Sequence, residues 1–203
     1  VNLEDAVSNS AIKNSLIRDI SGGGIRIGTP DHYKYIEGMD ICYNIEVSNN
    51  VIRRVANEFL GQVAISIFYE RDINVLNNTI MDTPYTGISS GWGWENSQSY
   101  AMQGVHLQYN HIENTMKNLY DGGGIYTLGS CKESTLIGNY IRKVDVSRYG
   151  YGVYFDAGSS WMTMTDNIIL DAYPWIEVQE ARYATHDLKI TRTYSEESYH
   201  DNN

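Results

Sequence analysis

A short pattern recurs along the chain and constrains its fold more than any other feature. An apolar residue is followed three positions later by Asn and two positions after that by a second apolar residue. The pattern returns every 28 to 36 residues. A fixed period of this length is typical of a repeat protein. The six copies carry Asn14, Asn50, Asn78, Asn110, Asn139 and Asn167.

A second segment follows each copy and has the order small residue, apolar, any residue, apolar. These segments are "GIRI", "AISI", "GISS", "GIYT", "GVYF" and "WIEV". Alternation with β-favouring residues indicates strands and excludes helical repeats of similar length. We therefore predict an all-β fold, a right-handed parallel β-helix of about six coils of 28 to 36 residues each. The right hand follows from the general preference of parallel crossovers.

The repeated Asn residues have a structural explanation that we prefer to a functional one. At the same turn of every coil, an Asn side chain can bond to backbone groups and to the Asn of the neighbouring coil. We predict a ladder of all six Asn side chains along the solenoid axis.

The length and the repeat together predict one domain over residues 1–203, with an irregular or partial last coil over 181–203. In that last stretch Thr193 stands where the ladder would require Asn. The prediction includes the alternative that the chain is a fragment of a longer catalytic chain or works with another subunit.

Charge and apolar content exclude several classes of partner. The formal net charge of −10 disfavours nucleic acid and anionic membranes, which attract clustered Lys and Arg. No apolar stretch reaches the eighteen or so residues of a membrane span. Cys42 and Cys131 could form one disulfide, or either could be free.

Alternation along the second strand predicts which side chains point outward. If its apolar residues face the core, their neighbours form external columns when the coils stack in register. The first column is Arg26, Ser66, Ser89, Tyr126, Tyr154 and Glu177. The second column is Gly28, Phe68, Gly91, Leu128, Asp156 and Gln179.

The loops beside this face on three neighbouring coils are rich in glycine, aromatic residues and acids. They are "GWGW", "YDGGG" and "RYGYGVYFDAGSSW". We predict a carbohydrate cleft in which glycines let the substrate approach the backbone and aromatic rings hold the sugars. Its predicted substrate-binding residues are Trp92, Trp94, Tyr126, Tyr154, Trp161 and Glu177. Glu177 and Glu70 are weaker, outward-facing candidates at the edges.

Two carboxylates facing one cleft are the minimal equipment for glycoside hydrolysis. Asp121 and Asp156 come from adjacent predicted coils and would stand on the order of 5 to 10 Å apart, which covers both retaining and inverting enzymes. We predict these two residues to be catalytic. We predict no metal ion and no cofactor.

The same residues are also compatible with structural roles and with other functions. Asp121 suits an Asx turn, Asp156 a solvated surface acid, and the "GWGW" tryptophans a packed rim. A polysaccharide lyase or epimerase on the same fold would need a cation, Arg or Lys beside a uronate, and Arg26 is the one basic residue in the two columns. A third alternative is a non-catalytic glycan-binding β-helix of the tailspike or adhesin kind.

The segments "YTGISSGWGW", "LYDGGGIYTLG" and "GVYFDAGSS", in that order, resemble the right-handed parallel β-helix domain of glycoside hydrolase family 141. The resemblance covers about residues 10 to 175. That family includes α-L-fucosidase and xylanase activities. The resemblance implies a secreted enzyme, extracellular or periplasmic, that acts on fucoside or xylan-type linkages with its catalytic acids at Asp121 and Asp156. Family members are usually much longer and carry further coils and an accessory β domain.

Overall fold

The computed structural model describes residues 1–30, 38–93, 102–145, 150–179 and 185–196. Across these ranges the regular structure consists of strands, and they form three seven-stranded sheets in which every pairing is parallel. None of the described ranges contains a helix with the length and apolar character needed to cross a membrane.

The three sheets, which we name A, B and C, receive consecutive strands of the chain in turn. Sheet A contains β1 (Asn2–Leu3), β4 (Ile25–Ile27), β7 (Ile65–Ile67), β10 (Ile88–Ser90), β13 (Gly122–Thr127), β16 (Gly150–Phe155) and β19 (Ile176–Val178). Sheet B contains β2 (Ser8–Lys13), β5 (Tyr43–Ser48), β8 (Arg71–Leu76), β11 (Gln103–Gln108), β14 (Ser130–Ile137), β17 (Ser160–Thr165) and β20 (His186–Thr191). Sheet C contains β3 (Leu16–Arg18), β6 (Val51–Arg53), β9 (Thr79–Met81), β12 (His111–Thr115), β15 (Tyr140–Val144), β18 (Ile168–Leu170) and β21 (Tyr194–Ser195).

This arrangement confirms the all-β prediction and is consistent with a parallel β-helix. Each strand pairs with the strand three places along the chain, so every turn of the chain adds one strand to each sheet. The repeated Asn pattern spans the corner between sheets B and C, so each repeat contains three strands where the sequence indicated two. The right hand of the solenoid stays a prediction.

The core is a stack of branched aliphatic side chains. In sheet A, Ile25, Ile65, Ile88 and Ile125 are register partners of one another along neighbouring strands, and each is at most 1% exposed. Burying each such side chain contributes about 1.5 to 3 kcal/mol, which makes this column a main source of stability. Cys42 and Cys131 are buried free thiols.

An Asn ladder runs beside this core, as predicted, but it has five Asn members. The side-chain amides of the first four donate to Oδ1 of the next Asn at 2.9 to 3.1 Å and to a main-chain carbonyl oxygen, while the amide of Asn167 donates to two main-chain carbonyl oxygens. Its members are at most 2% exposed: Asn50, Asn78, Asn110, Asn139 and Asn167.

The prediction that Asn14 belongs to the ladder was wrong. Lys13 pairs with Ser48, so Ser15 stands opposite Asn50, and the Ser15 amide donates to Asn50 Oδ1 at 3.0 Å. Asn14 occupies the preceding turn position with φ of 52° and is exposed. A turn with positive φ favours Asn, so two adjacent positions accept this residue for different reasons.

Candidate active site

The outer face of sheet A has the register that alternation predicts. Arg26 pairs with Ser66, Ser66 with Ser89, Ser89 with Tyr126, Tyr126 with Tyr154, and Tyr154 with Glu177. Main-chain hydrogen bonds continue this register into the second column, including those from the Leu128 amide to Ser90 O and from the Asp156 amide to Thr127 O, both 3.0 Å long. The register of both predicted columns is confirmed, although Tyr154 and Leu128 are buried rather than exposed.

Two tyrosines hold the carboxylate of Asp156. The Tyr126 hydroxyl donates to Asp156 Oδ2 at 2.5 Å, and the Tyr154 hydroxyl donates to Asp156 Oδ1 at 3.3 Å. The two rings meet edge to face with centroids 5.3 Å apart. Gln179 Nε2 in turn donates to the Tyr154 hydroxyl oxygen at 2.9 Å. These hydrogen bonds fix the orientation of the Asp156 carboxyl group.

Both tyrosine hydroxyls stay protonated and therefore remain donors. Burial raises the pKa of Tyr126, and the negative charge of Asp156 raises it further. Burial likewise raises the pKa of Tyr154; the bond from Gln179 opposes this, and the charges of Asp156 and Asp121 add to it. A phenolate beside two carboxylates would be strongly disfavoured.

Asp121 directly precedes β13, and Asp156 directly follows β16. These two strands are neighbours in sheet A. Asp121 is exposed, with φ of 64°, yet the surrounding protein partly desolvates its carboxyl group and raises its pKa. The charge of Asp156 raises the pKa of Asp121 further, while the nearby Tyr154 hydroxyl lowers it. The structure thus brings the two predicted acids into electrostatic contact and gives them different environments.

The three glycines after Asp121 are required by packing rather than by substrate access. All three are buried. A Cβ atom would lie 2.4 Å from Thr86 Oγ1 at Gly122, 2.7 Å from Tyr151 O at Gly123, and 2.6 Å from Ile141 Cγ2 at Gly124. The expectation that a substrate would approach the backbone here was wrong, because neighbouring coils already occupy that space.

A cleft with a volume of about 370 Å³ crosses the strands of sheet A. It lies over the strands that precede the acid pair in the chain. Its residues come from the outward columns and from the segments that enter and leave the strands. This volume lies near the lower end of the range for small-molecule sites. The lining side chains include Arg26, Gln62, Ser66, Phe68, Tyr85, Ser89, Trp92 and Tyr126.

Two of the lining tyrosines connect the cleft to the acids. The Tyr126 hydroxyl bonds to Asp156, and the Tyr85 hydroxyl donates to the main-chain oxygen of Asp121 at 2.6 Å. The acid pair therefore stands beside the Tyr126 end of the cleft. Sequence reasoning missed Tyr85, which lies in the segment leading into β10 and outside both columns.

The predicted aromatic residues divide between two sheets. Trp92 lines the cleft, and its ring meets Phe68 edge to face at 5.4 Å. Trp94 lies outside the described residues. Trp161 lies on β17 in sheet B, where His186 meets its ring edge-on at 4.7 Å and Lys132 Nζ stands 4.9 Å from its centroid. Trp161 is therefore not brought onto the cleft face, because the chain turns from sheet A to sheet B before it.

The two weaker acidic candidates, Glu177 and Glu70, lie in different surroundings. Glu177 is half-buried and pairs with Tyr154, on the side of the acid pair away from the cleft. Glu70 is 1% exposed rather than outward-facing, and a Cβ atom at Gly28 would lie 1.8 Å from its Oε1. Burial raises the pKa of Glu70 to about 8. Glu70 is therefore a buried acid at the corner between sheets A and B.

Comparisons with known proteins point in one direction. A solved structure named glycoside hydrolase superposes on this chain with a TM-score of 0.81 and 27% sequence identity, covering 96% of this chain and 33% of its own. This chain thus spans about a third of that protein's length. No protein-family model and no curated protein matches the sequence. The similarity supports the resemblance to glycoside hydrolases without identifying one family.

Proposed function

We propose that this chain carries the catalytic acids of a glycoside hydrolase, with Asp121 as the general acid and Asp156 as its partner. The observation that carries the proposal is that two neighbouring carboxyl groups have different surroundings. Asp156 accepts two tyrosine hydroxyl bonds, while burial and the charge of Asp156 raise the pKa of Asp121. A carboxyl group with a raised pKa next to a second carboxyl group is what acid catalysis by such a pair requires.

In the proposed reaction Asp121 donates its proton to the glycosidic oxygen as the bond to the leaving sugar breaks. Ionised Asp156 then either attacks the anomeric carbon or removes a proton from an attacking water molecule. Tyr126 and Tyr154 hold the Asp156 carboxylate in place and supply donors that remain protonated. The separation of the two carboxyl groups around a bound sugar decides between the two routes.

The proposed substrate is a plant or other complex polysaccharide or oligosaccharide with a fucoside or xylan-type linkage. This choice derives from the resemblance to family 141, and the similarity to a solved glycoside hydrolase supports the broader class. Such polymers lie outside cells, so we also propose that the protein acts in the extracellular space or the periplasm.

The test compares Asp121→Asn and Asp156→Asn with the unmodified protein on nitrophenyl α-L-fucoside, fucosylated oligosaccharides and xylan. Each substitution should lower kcat/KM by about 10² to 10⁴-fold, the usual range for a lost acid–base group. The matched control is Asp171→Asn. Asp171 is an exposed aspartate that directly follows β18 of sheet C, so this substitution should leave the rate unchanged.

Three results would contradict the proposal. Full activity in both aspartate variants would remove these residues from catalysis. Binding of the glycans without any hydrolysis by the unmodified protein would indicate a non-catalytic glycan-binding protein. An ultraviolet-absorbing unsaturated product from a uronate polymer would indicate a lyase.

A further inference from the structure

Arg26 lies near the end of the cleft opposite Tyr126, one strand before the lining residue Asn2 on β1. It lies on β4 in the same outward column as Tyr126, with Ser66 and Ser89 between them. Among the described residues that line the cleft it is the one charged side chain. A cation at the far end of a polar and aromatic cleft is placed to bind the part of a substrate most distant from the acids.

The guanidinium group of Arg26 has hydrogen-bonding capacity to spare. Its Nη2 donates to Glu4 Oε1 at 3.0 Å, while its Nε is buried without an acceptor among the described residues. Glu4 is an exposed residue, so this ion pair is screened by solvent. A guanidinium group carries five N–H donors and the bond to Glu4 uses one of them, so an oxygen atom of a ligand can accept from another.

The register gives the length of the cleft. Three strand pairings separate Arg26 from Tyr126, which corresponds to about 14 Å at the usual spacing of neighbouring strands. A sugar residue in an extended chain covers roughly one strand spacing, so the interval accepts about two or three sugar residues. The small side chains of Ser66 and Ser89 leave room for them along the floor.

We propose that the enzyme binds oligosaccharide chains rather than single sugars, with two or three residues of the chain lying between Tyr126 and Arg26. Arg26 donates from its guanidinium group to an oxygen of the most distant sugar. Trp92 and Phe68 offer apolar ring surface on the side where the strands end, and Gln62 offers an amide on the side where they begin. The proposal extends the proposed glycosidase function, because it takes the acid pair as the site of cleavage.

The acceptor on the distant sugar is an oxygen atom, either a hydroxyl group or the carboxylate of a uronate. Glu4 offsets part of the charge of Arg26, so a neutral hydroxyl needs no further compensation, whereas a carboxylate would use the remaining guanidinium donors. Comparing neutral with uronate-bearing oligosaccharides of equal length shows whether the acceptor oxygen belongs to a hydroxyl group or to a carboxylate.

The experiment measures binding by calorimetry in an Asp121→Asn background, so that no probe is consumed. The probes are xylose, xylobiose and xylotetraose, a xylotetraose carrying glucuronic acid, and the corresponding fucosylated xyloglucan oligosaccharides. Affinity should rise with chain length, and Arg26→Met should weaken the longest chains by about tenfold or more while changing xylobiose less than twofold. Met keeps the apolar stem of the side chain and removes the donors.

Arg53→Met is the matched control, since Arg53 is a half-buried arginine on sheet C whose Nε also lacks an acceptor. It should leave every affinity unchanged. Arg26→Gln provides a second variant, with thermal unfolding recorded for both to verify the fold. A preference for the acidic probe that Arg26→Met abolishes would assign the carboxylate; equal binding of both probes would assign the hydroxyl.

The proposal is overturned if affinity does not grow with chain length, if no probe binds, or if Arg26→Met weakens all lengths equally. These outcomes are separable from failure of the glycosidase proposal. That failure would appear as unchanged hydrolysis by Asp121→Asn or as no hydrolysis at all, whatever the binding measurements give.

Discussion

The Tyr126 hydroxyl and the Asp156 carboxylate are joined by a 2.5 Å hydrogen bond between neighbouring strands of sheet A. Tyr126 also lines the cleft, so this one contact links the proposed sugar-binding surface to the proposed catalytic pair. Because Tyr126 stays protonated, it acts as a fixed donor that positions Asp156.

Tyr126→Phe should therefore lower kcat/KM by about 10 to 100-fold, the equivalent of losing one hydrogen bond to a charged group. Tyr154→Phe should have a smaller effect on Asp156, since its bond is longer at 3.3 Å. Steady-state kinetics of the two variants on one substrate checks this order. The reverse order, or full activity in Tyr126→Phe, would contradict it.

The pH dependence of activity should follow Asp121 on the alkaline side. Burial and the charge of Asp156 raise the pKa of Asp121 above 3.8, so the general acid keeps its proton to higher pH than an isolated aspartate. The nearby Tyr154 hydroxyl lowers the pKa of Asp121 and so favours its ionised form. Tyr154→Phe should consequently move the alkaline limb of the kcat/KM profile to higher pH. A limb that moves to lower pH in this variant would exclude the proposed role of Asp121.

Folding stability should decrease as the pH rises because of Glu70. Its pKa is about 8 in the folded protein and near 4.5 when exposed, so between these values the folded state binds the extra proton. The contribution is fully present below pH 4.5 and falls by about 1.4 kcal/mol per pH unit until the folded-state value of about 8 is passed.

Glu70→Gln should remove this slope from the free energy of unfolding, measured by urea denaturation from pH 5 to pH 8. The exposed residue Glu58 supplies the control, since Glu58→Gln should keep the slope of the unmodified protein. Equal slopes for all three proteins would show that Glu70 titrates in the folded state as it does when exposed.

The Asn ladder should be the most sensitive part of the scaffold. Asn110 donates to Val75 O and Asn139 Oδ1, and its Oδ1 accepts from the amide and the side chain of Asn78. Asn110→Ala leaves these buried groups without partners and should destabilise the protein by about 3 kcal/mol or more.

Asn14→Gly is the matched control for the ladder, because glycine keeps the positive φ of 52° and no ladder bond is lost. It should change stability by less than about 0.5 kcal/mol. Thermal unfolding of the two variants measures these changes in stability. A comparable loss of stability in both would contradict the assignment of Ser15, rather than Asn14, to the ladder.

Much of this architecture is readable from the sequence because alternation and stacking are regular. The outward positions of Tyr126, Tyr154 and Asp156 follow from period-two alternation and a common repeat. The hydroxyl bonds to Asp156 do not follow from it, since they depend on side-chain torsions and on the twist between adjacent strands.

The errors come from corners and from contacts between distant segments. Trp161 follows Asp156 by five positions, and Gly158, with φ of 79°, marks a turn between them, but the sequence does not show that the next strand belongs to a second sheet. Glu70 appeared outward because it is acidic; its burial depends on the space left by Gly28, which belongs to the preceding coil. Such a space is visible only after the coils are stacked.

The register between Arg26 and Tyr126 has a consequence for how such a chain can diversify. The cleft runs across the strands of sheet A, and each coil contributes one strand to that sheet. Insertion or deletion of one complete coil between these two residues would therefore change the length of the cleft by one strand spacing, about 4.8 Å. Asp121 and Asp156 lie beyond that interval and would keep their mutual geometry. Substrate length and bond-breaking chemistry can therefore be altered independently, the first by adding or removing repeats and the second by point substitution.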